Sequence, residues 1–368
     1  MTREMIGLIN MRNAQPLKEI NDARPVTSIP IGGKYRLIDF TLSNMVNAGI
    51  TTVGLLLPHQ SRSILDHIRS GREWGLAHKG DGLFYLPEEN GKESEGDIDT
   101  YYKNLTFVRR GKSKYLLLSS GNMVINIDYE EALHFHRKHN ADVTLIYQKV
   151  PAATEKEGYT LTLNDKDRVL ELNKPATLAE GDNKFLGCIL IDCEIFQDSI
   201  EKSYAEGYHH FIGDVLARNL KRLRVFGYEF KGYAKRVHDV ESYFQVNMDL
   251  LDPKTWRELL NPNPQHRIYT KINDEAPAKY MEEAKANNCL VANGCIIEGT
   301  VENSIFFRRV KVGKNAVVRN SIIMQYTEIG DDARLDHVIC DKNTVIQPEA
   351  ALSGTEEQPL CIGKKAVL

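Results

Sequence analysis

The sequence predicts two domains: an α/β domain built on a mostly parallel sheet, then a left-handed parallel β-helix of the hexapeptide type. Three observations carry this. Short aliphatic runs alternate with amphipathic helical patterns over residues 1–252. Prolines then cluster at Pro253, Pro262, Pro264 and Pro277. Beyond residue 289 helical periodicity disappears and isolated aliphatics recur at a fixed interval. A length of 368 residues also favours two domains over one.

In the first part, strands are predicted at MIGLI (5–9), TTVGLLL (51–57), KYLLLS (114–119), DVTLIYQK (142–149), KFLGCILI (184–191) and RVFGYEF (224–230). Helices lie between them. Leu37, Ile38, Leu42, Met45 and Val46 mark one apolar face that Gly49 terminates, and 211–223 (FIGDVLARNLKRL) repeats the pattern. Strands alternating with helices build a parallel sheet covered on both faces, and ligands bind at the carboxyl ends of its strands. Residues 78–97 are polar and glycine-rich and read as a loop over those ends. Residues 253–288 read as an extended connector.

The last part, 289–368, contains VGKNAV, IGDDAR, IQPEAA and IGKKAV, each an aliphatic, often Gly, two polar residues and often Ala. Val312, Ile329 and Ile346 are spaced by 17 residues, which is three hexads with one residue dropped. A constant period marks a stacked solenoid, whose coils bury an apolar ladder that one coil cannot bury alone.

Composition narrows the function. The net charge of −3 argues against a general nucleic-acid binder. No apolar run approaches the roughly 20 residues of a membrane span. The first ten residues lack a secretory h-region, and six cysteines without a CxxC pair read as reduced thiols, so a cytoplasmic location is expected.

Two blocks then resemble a known family. IPIGGKYRLIDFTLSNMVNAGI (29–50) resembles the PFGGKYRIIDFPLSN block of the bacterial glucose-1-phosphate adenylyltransferases, and GYAKRVHDVESYFQVNMDLL (232–251) resembles their GYWKDVGTIDSYYEANMDLL. The resemblance spans essentially the whole chain. It implies a Rossmann-like nucleotidyltransferase domain over 1–252, a connector over 253–288 and the β-helix over 289–368. Within the family the chain looks most like the regulatory D-type subunit that accompanies a catalytic C-type subunit. The implied partners are that catalytic subunit, in a heterotetramer, and an anionic metabolite effector; a homo-oligomer of the chain alone stays open. The β-helix and the helical face near 36–48 are the expected contact surfaces. Neither nucleic acid nor membrane is expected.

The family reaction joins a sugar phosphate to the α-phosphate of ATP and releases pyrophosphate. Such chemistry rests on positioning and charge neutralisation. It calls for a glycine-rich loop, a loop cation and two carboxylates for Mg²⁺. The family's LAGGxGxRL loop is replaced by LINMRNAQPLKEI (8–20), which has no glycine. Pro16 stands at the family's arginine in an ungapped register, and Arg12 could supply charge but not loop geometry. The family's first metal aspartate corresponds to Asn122 in SGNMVINIDY, and the second to Arg236 in GYAKRVHD. At ~4 Å and an effective dielectric of ~20, a guanidinium and a divalent ion repel by roughly 8 kcal/mol. No catalytic residue and no productively bound Mg²⁺ are therefore expected. Remnants of the substrate pocket are Gly121, Lys174 beside Asn173, Gly187, and Asp214 beside His210; Gly96 and Asn104 also match.

Lys34 and Arg36 stand in the preserved block, which in the family lies near the effector site. With Arg308 and Arg309 they are candidates for an anion pocket. The alternative is that these residues are ordinary surface cations or make structural salt bridges. His134, His136 and His139 read as a solvated helix end. Three other functions compete. A working adenylyltransferase would need substitute metal ligands from Asp97, Asp99 or Asp239. A hexapeptide acyltransferase would use His337, the one solenoid histidine, for which no acidic partner is evident. A metabolite sensor would act without a catalytic partner.

Overall fold

The computed structural model describes residues 4–12, 17, 20, 24–78, 80–88, 96–151, 158–260 and 266–368. All six predicted strands form, as Met5–Asn10, Thr52–Leu56, Tyr115–Ser120, Val143–Lys149, Asn183–Asp192 and Val225–Glu229. They share one sheet with a strand not foreseen, Gly82–Leu86, which pairs in parallel with Thr52–Leu56 inside the stretch expected to be a loop. Asn183–Asp192 alone among these seven runs antiparallel to its neighbours Tyr115–Ser120 and Val143–Lys149. A hairpin of Thr160–Leu163 and Val169–Asn173 extends the sheet.

Both faces of the sheet are covered, which is why the strands read as continuous aliphatic runs. In Tyr115–Ser120, Leu117 packs into one core while Leu116 and Leu118 pack into the other. The helix Leu37–Asn47 forms as predicted, but its residues from Leu37 to Met45 are all buried within the chain. It is therefore not the outer contact face expected of 36–48.

The predicted helix over 211–223 forms in part, as a π-helix at Phe211–Leu216 that runs directly into an α-helix at Ala217–Asn219. Its polar side chains explain this. The Asp214 carboxylate turns back to accept from the backbone N–H of His209 and His210, and the Asn219 amide donates to the Val215 carbonyl. Such local bonds compete with regular helix.

The stretch 253–288 holds a helix, Pro253–Leu260, and two strands, Lys279–Tyr280 and Lys285–Asn287, that already belong to the first solenoid coil. Pro262 and Pro264 lie outside the described residues. From there three five-stranded parallel sheets stack into a left-handed β-helix. Val312 lies over Ile329 and Ile329 over Ile346, as the 17-residue period requires, whereas the preceding step, Ile297 to Val312, is shorter.

The domains share a core. Val26, Ile31, Leu37 and Phe40 pack in one cluster with Ile305, Phe307, Ile322 and Met324 of the solenoid. Arg24 crosses the same boundary. Its Nη2 donates to the Asp341 Oδ1 at 2.8 Å, with both side chains 6% exposed. The same nitrogen donates to the Ile20 carbonyl.

Candidate functional site

The carboxyl ends of the parallel strands bring together Gly121, Asn122, Gly187 and Arg236. Asn122 stands two residues beyond the end of Tyr115–Ser120 and is 6% exposed. Its Nδ2 donates to the Val237 carbonyl at 2.9 Å, and the Val237 N–H donates to the Asn122 carbonyl at 3.0 Å. The amide thus clamps the short strand Ala234–Arg236 onto Met123–Ile125, where Arg236 sits opposite Met123. The Arg236 guanidinium lies directly over Gly187, which has φ +79°, and a β-carbon there would collide with Nη2. Burial pulls the Arg236 pKa below its ordinary value, with Cys188 opposing. Lys184 is close by. Its amine is lowered to about 8 by burial, then by the charges of Arg236 and Lys235.

This pocket does not suit a divalent cation. The Asn122 amide is spent on the backbone and a guanidinium fills the facing position. Among the described residues no group of three His, Cys, Asp or Glu is placed to hold a metal. The acids offered as substitutes have other partners. Asp97 accepts from Phe211 N–H at 2.8 Å, and Asp99 from Lys103 Nζ at 2.7 Å. Asp239 caps the helix Val240–Asp249 through Ser242 N–H at 2.7 Å. Arg12 is also occupied. Its Nε donates to the Leu57 carbonyl at 2.9 Å and its Nη1 to Thr100 Oγ1 at 3.2 Å. Pro16 lies outside the described residues. Lys174 is exposed, 6.0 Å above the ring of Tyr159. Burial, with Asp97 and Asp214 adding to it, raises the Tyr159 pKa, and a β-carbon on Gly213 would lie 3.2 Å from the Tyr159 hydroxyl, which sets Tyr159 and Lys174 beside the Asp214 segment.

A second site lies between the domains. Pro30–Ile31 and Tyr35–Arg36 form a two-rung hairpin whose turn places Gly32 and Gly33 at φ +58° and +77°. Only glycine adopts such angles freely. A β-carbon on Gly33 would lie 3.6 Å from the Phe306 carbonyl, so the turn abuts the solenoid. Between them is a cavity of about 340 Å³ lined by Lys34, Arg36, Lys271, Arg308 and Lys342, with Glu275 its only acid among the lining residues. The Arg36 pKa is lowered to about 10 by burial, with Arg24 and Arg308 adding to the shift and Asp39 opposing it. Lys342 is lowered to about 7, by burial and then by Arg36 and Arg24. The Arg308 Nε and Gln325 Oε1 are buried with no hydrogen-bond partner among the described residues. Arg309 is not among the lining residues. It turns to Glu275, 2.6 Å away, at a neighbouring opening.

A family profile described as nucleotidyl transferase matches residues 16–253, and one described as GlmU-like C-terminal hexapeptide matches 276–358. The chain is 34% identical to the glycogen biosynthesis protein GlgD of Bacillus subtilis, over 99% of this chain and 97% of that protein. It is 37% identical to GlgD of Geobacillus stearothermophilus, over 100% and 98%. It is 32% identical to the glucose-1-phosphate adenylyltransferase of Clostridium novyi, over 81% and 79%. The chain belongs to the glucose-1-phosphate adenylyltransferase family.

For a member of this family, several residues sit where the sequence alone did not put them. His136 is buried against the sheet, not solvated. Its Nδ1 meets Thr144 Oγ1 at 2.9 Å, and burial lowers its pKa to about 4. His337 does have an acidic partner, Asp336 Oδ1 at 2.8 Å, and its ring lies against Phe244 of the adenylyltransferase-like domain. Lys184, Lys271 and Lys342 were missed. A signal for Lys342 was present: Arg308, Gln325 and Lys342 are each 17 residues apart. Backbone bonds from Tyr326 N–H to the Arg308 carbonyl and from Asn343 N–H to the Gln325 carbonyl stack them as a ladder on the cavity wall. No described helix is long and apolar enough to cross a membrane.

Proposed function

We propose that this chain is a regulatory, largely non-catalytic subunit of a cytoplasmic ADP-glucose pyrophosphorylase. That enzyme converts glucose-1-phosphate and ATP to ADP-glucose and pyrophosphate for glycogen biosynthesis. The chain assembles with a catalytic homologue as a heterotetramer, using its β-helix, and raises or tunes the partner's rate. The observation that carries this reading is the pair Asn122 and Arg236, a backbone clamp and a cation where the family's metal carboxylates stand. The name of the GlgD relatives supports the pathway. The interdomain cavity, with Arg36, Arg308 and Lys342 converging, takes the anionic effector.

The test is co-expression with a catalytic homologue, measuring the mass of the complex and its rate of pyrophosphate release. A mixed complex with altered rate or effector response is expected, and the pure chain is expected to turn over far more slowly than the catalytic subunit. Turnover by the pure chain equal to that of a catalytic homologue would refute this reading in favour of a self-sufficient adenylyltransferase.

A further inference from the structure

The strand-end pocket has lost the means to hold a metal, yet what replaces it is not inert. The Arg236 guanidinium makes no hydrogen bond or ion pair with any described residue, and Cys188 is the one group resolved as favouring its charge. This guanidinium is half-buried, and a ligand that brought a counter-charge would offset its partial desolvation. Beside it the Ser120 Oγ is buried and has no hydrogen-bond partner among the described residues. Both groups converge: the point where a Gly187 β-carbon would sit touches Arg236 Nη2 on one side and lies 3.2 Å from Ser120 Oγ on the other. Lys184 adds positive potential from the antiparallel strand.

We propose that this pocket binds a phosphate group directly on Arg236, with Ser120 Oγ as a second donor and no divalent cation. In a family that presents phosphate to a metal held by carboxylates, the guanidinium here takes over the metal's attraction for the anion. Arginine suits the task because its planar fork gives two parallel hydrogen bonds to phosphate oxygens. Binding without a metal leaves phosphoryl transfer unsupported, so the pocket reads a ligand and does not convert it. This goes beyond the regulatory reading and does not depend on a partner chain.

The full chain is titrated calorimetrically in EDTA with inorganic phosphate, glucose-1-phosphate and ADP in turn. An Arg308→Gln background weakens anion binding in the interdomain cavity. At least one of the three ligands is expected to bind, and the tightest identifies whether the phosphate comes from a free ion, a sugar or a nucleotide. Arg236→Gln should weaken that binding about tenfold or more, Arg236→Lys less, and Ser120→Ala by a smaller measurable factor. Added Mg²⁺ should not tighten it. Absence of binding in EDTA, a requirement for Mg²⁺, or an Arg236→Gln affinity equal to the background would each overturn the proposal. Should Arg236→Gln fail to fold, unchanged affinity in both Arg236→Lys and Ser120→Ala overturns it. A chain that binds in this way but leaves a catalytic homologue's rate unchanged keeps this inference and loses the regulatory one.

Discussion

Asn122 and Val237 hold each other in both directions, amide to carbonyl at 2.9 Å and N–H to carbonyl at 3.0 Å. Asn122 is thus a structural clamp between two chain segments. Asn122→Asp removes the donor and sets a carboxylate against the Val237 carbonyl. It should lower stability by about 1–3 kcal/mol, read as a reduced urea midpoint at unchanged slope. The double substitution Asn122→Asp with Arg236→Asp should not restore pyrophosphate release, because the glycine loop is still missing.

Arg24 and Asp341 form a buried ion pair across the domain boundary. Removing one member leaves the other charged and enclosed. Asp341→Ala should cost about 3–5 kcal/mol in denaturant unfolding, and the double variant with Arg24→Met should recover part of that loss.

Lys342 gives the interdomain cavity a pH signature. Its folded pKa is lowered to about 7, from 10.5, by burial and by Arg36 and Arg24. Between about pH 7 and 10.5 the unfolded chain binds the extra proton, so this residue makes stability rise with pH across that window. Lys342→Met should flatten the slope. An anion in the cavity favours protonated Lys342, so its affinity should fall as pH rises above about 7, accompanied by proton uptake on binding.

His136 has the opposite environment to a surface histidine. Its folded pKa of about 4 lies below the ordinary 6.5, so stability is lost as pH falls through that interval. His136→Gln, which keeps a partner for Thr144, should lessen the acid sensitivity of thermal unfolding between pH 6.5 and 4.

Much of the fold was legible. The aliphatic runs became strands because both faces of the sheet are covered, and Val312, Ile329 and Ile346 stacked because a solenoid repeats its sequence as it repeats its coil. The misses have physical causes. The edge strand Gly82–Leu86 is short and sits within a polar stretch, so its pairing depends on a distant neighbour, Thr52–Leu56. The π-helical form of 211–216 follows its polar side chains, Asp214 and Asn219, more than its apolar spacing. At the site, residue types at Asn122 and Arg236 could be read directly. What the Arg12 guanidinium would reach, or that Arg309 would turn to Glu275, is settled by packing between segments far apart in the chain.

The ladder Arg308, Gln325, Lys342 carries a consequence for how such chains diversify. Neighbouring rungs of a stacked coil are about 4.8 Å apart, so the basic wall is graduated like a ruler. Duplication or loss of one whole coil would lengthen or shorten that wall without disturbing its pitch, and so retune the size of anion accommodated by a single genetic event. Coil length itself varies, fifteen residues from Ile297 to Val312 and seventeen from Val312 to Ile329, so a small deletion in a turn can be absorbed without moving the later rungs.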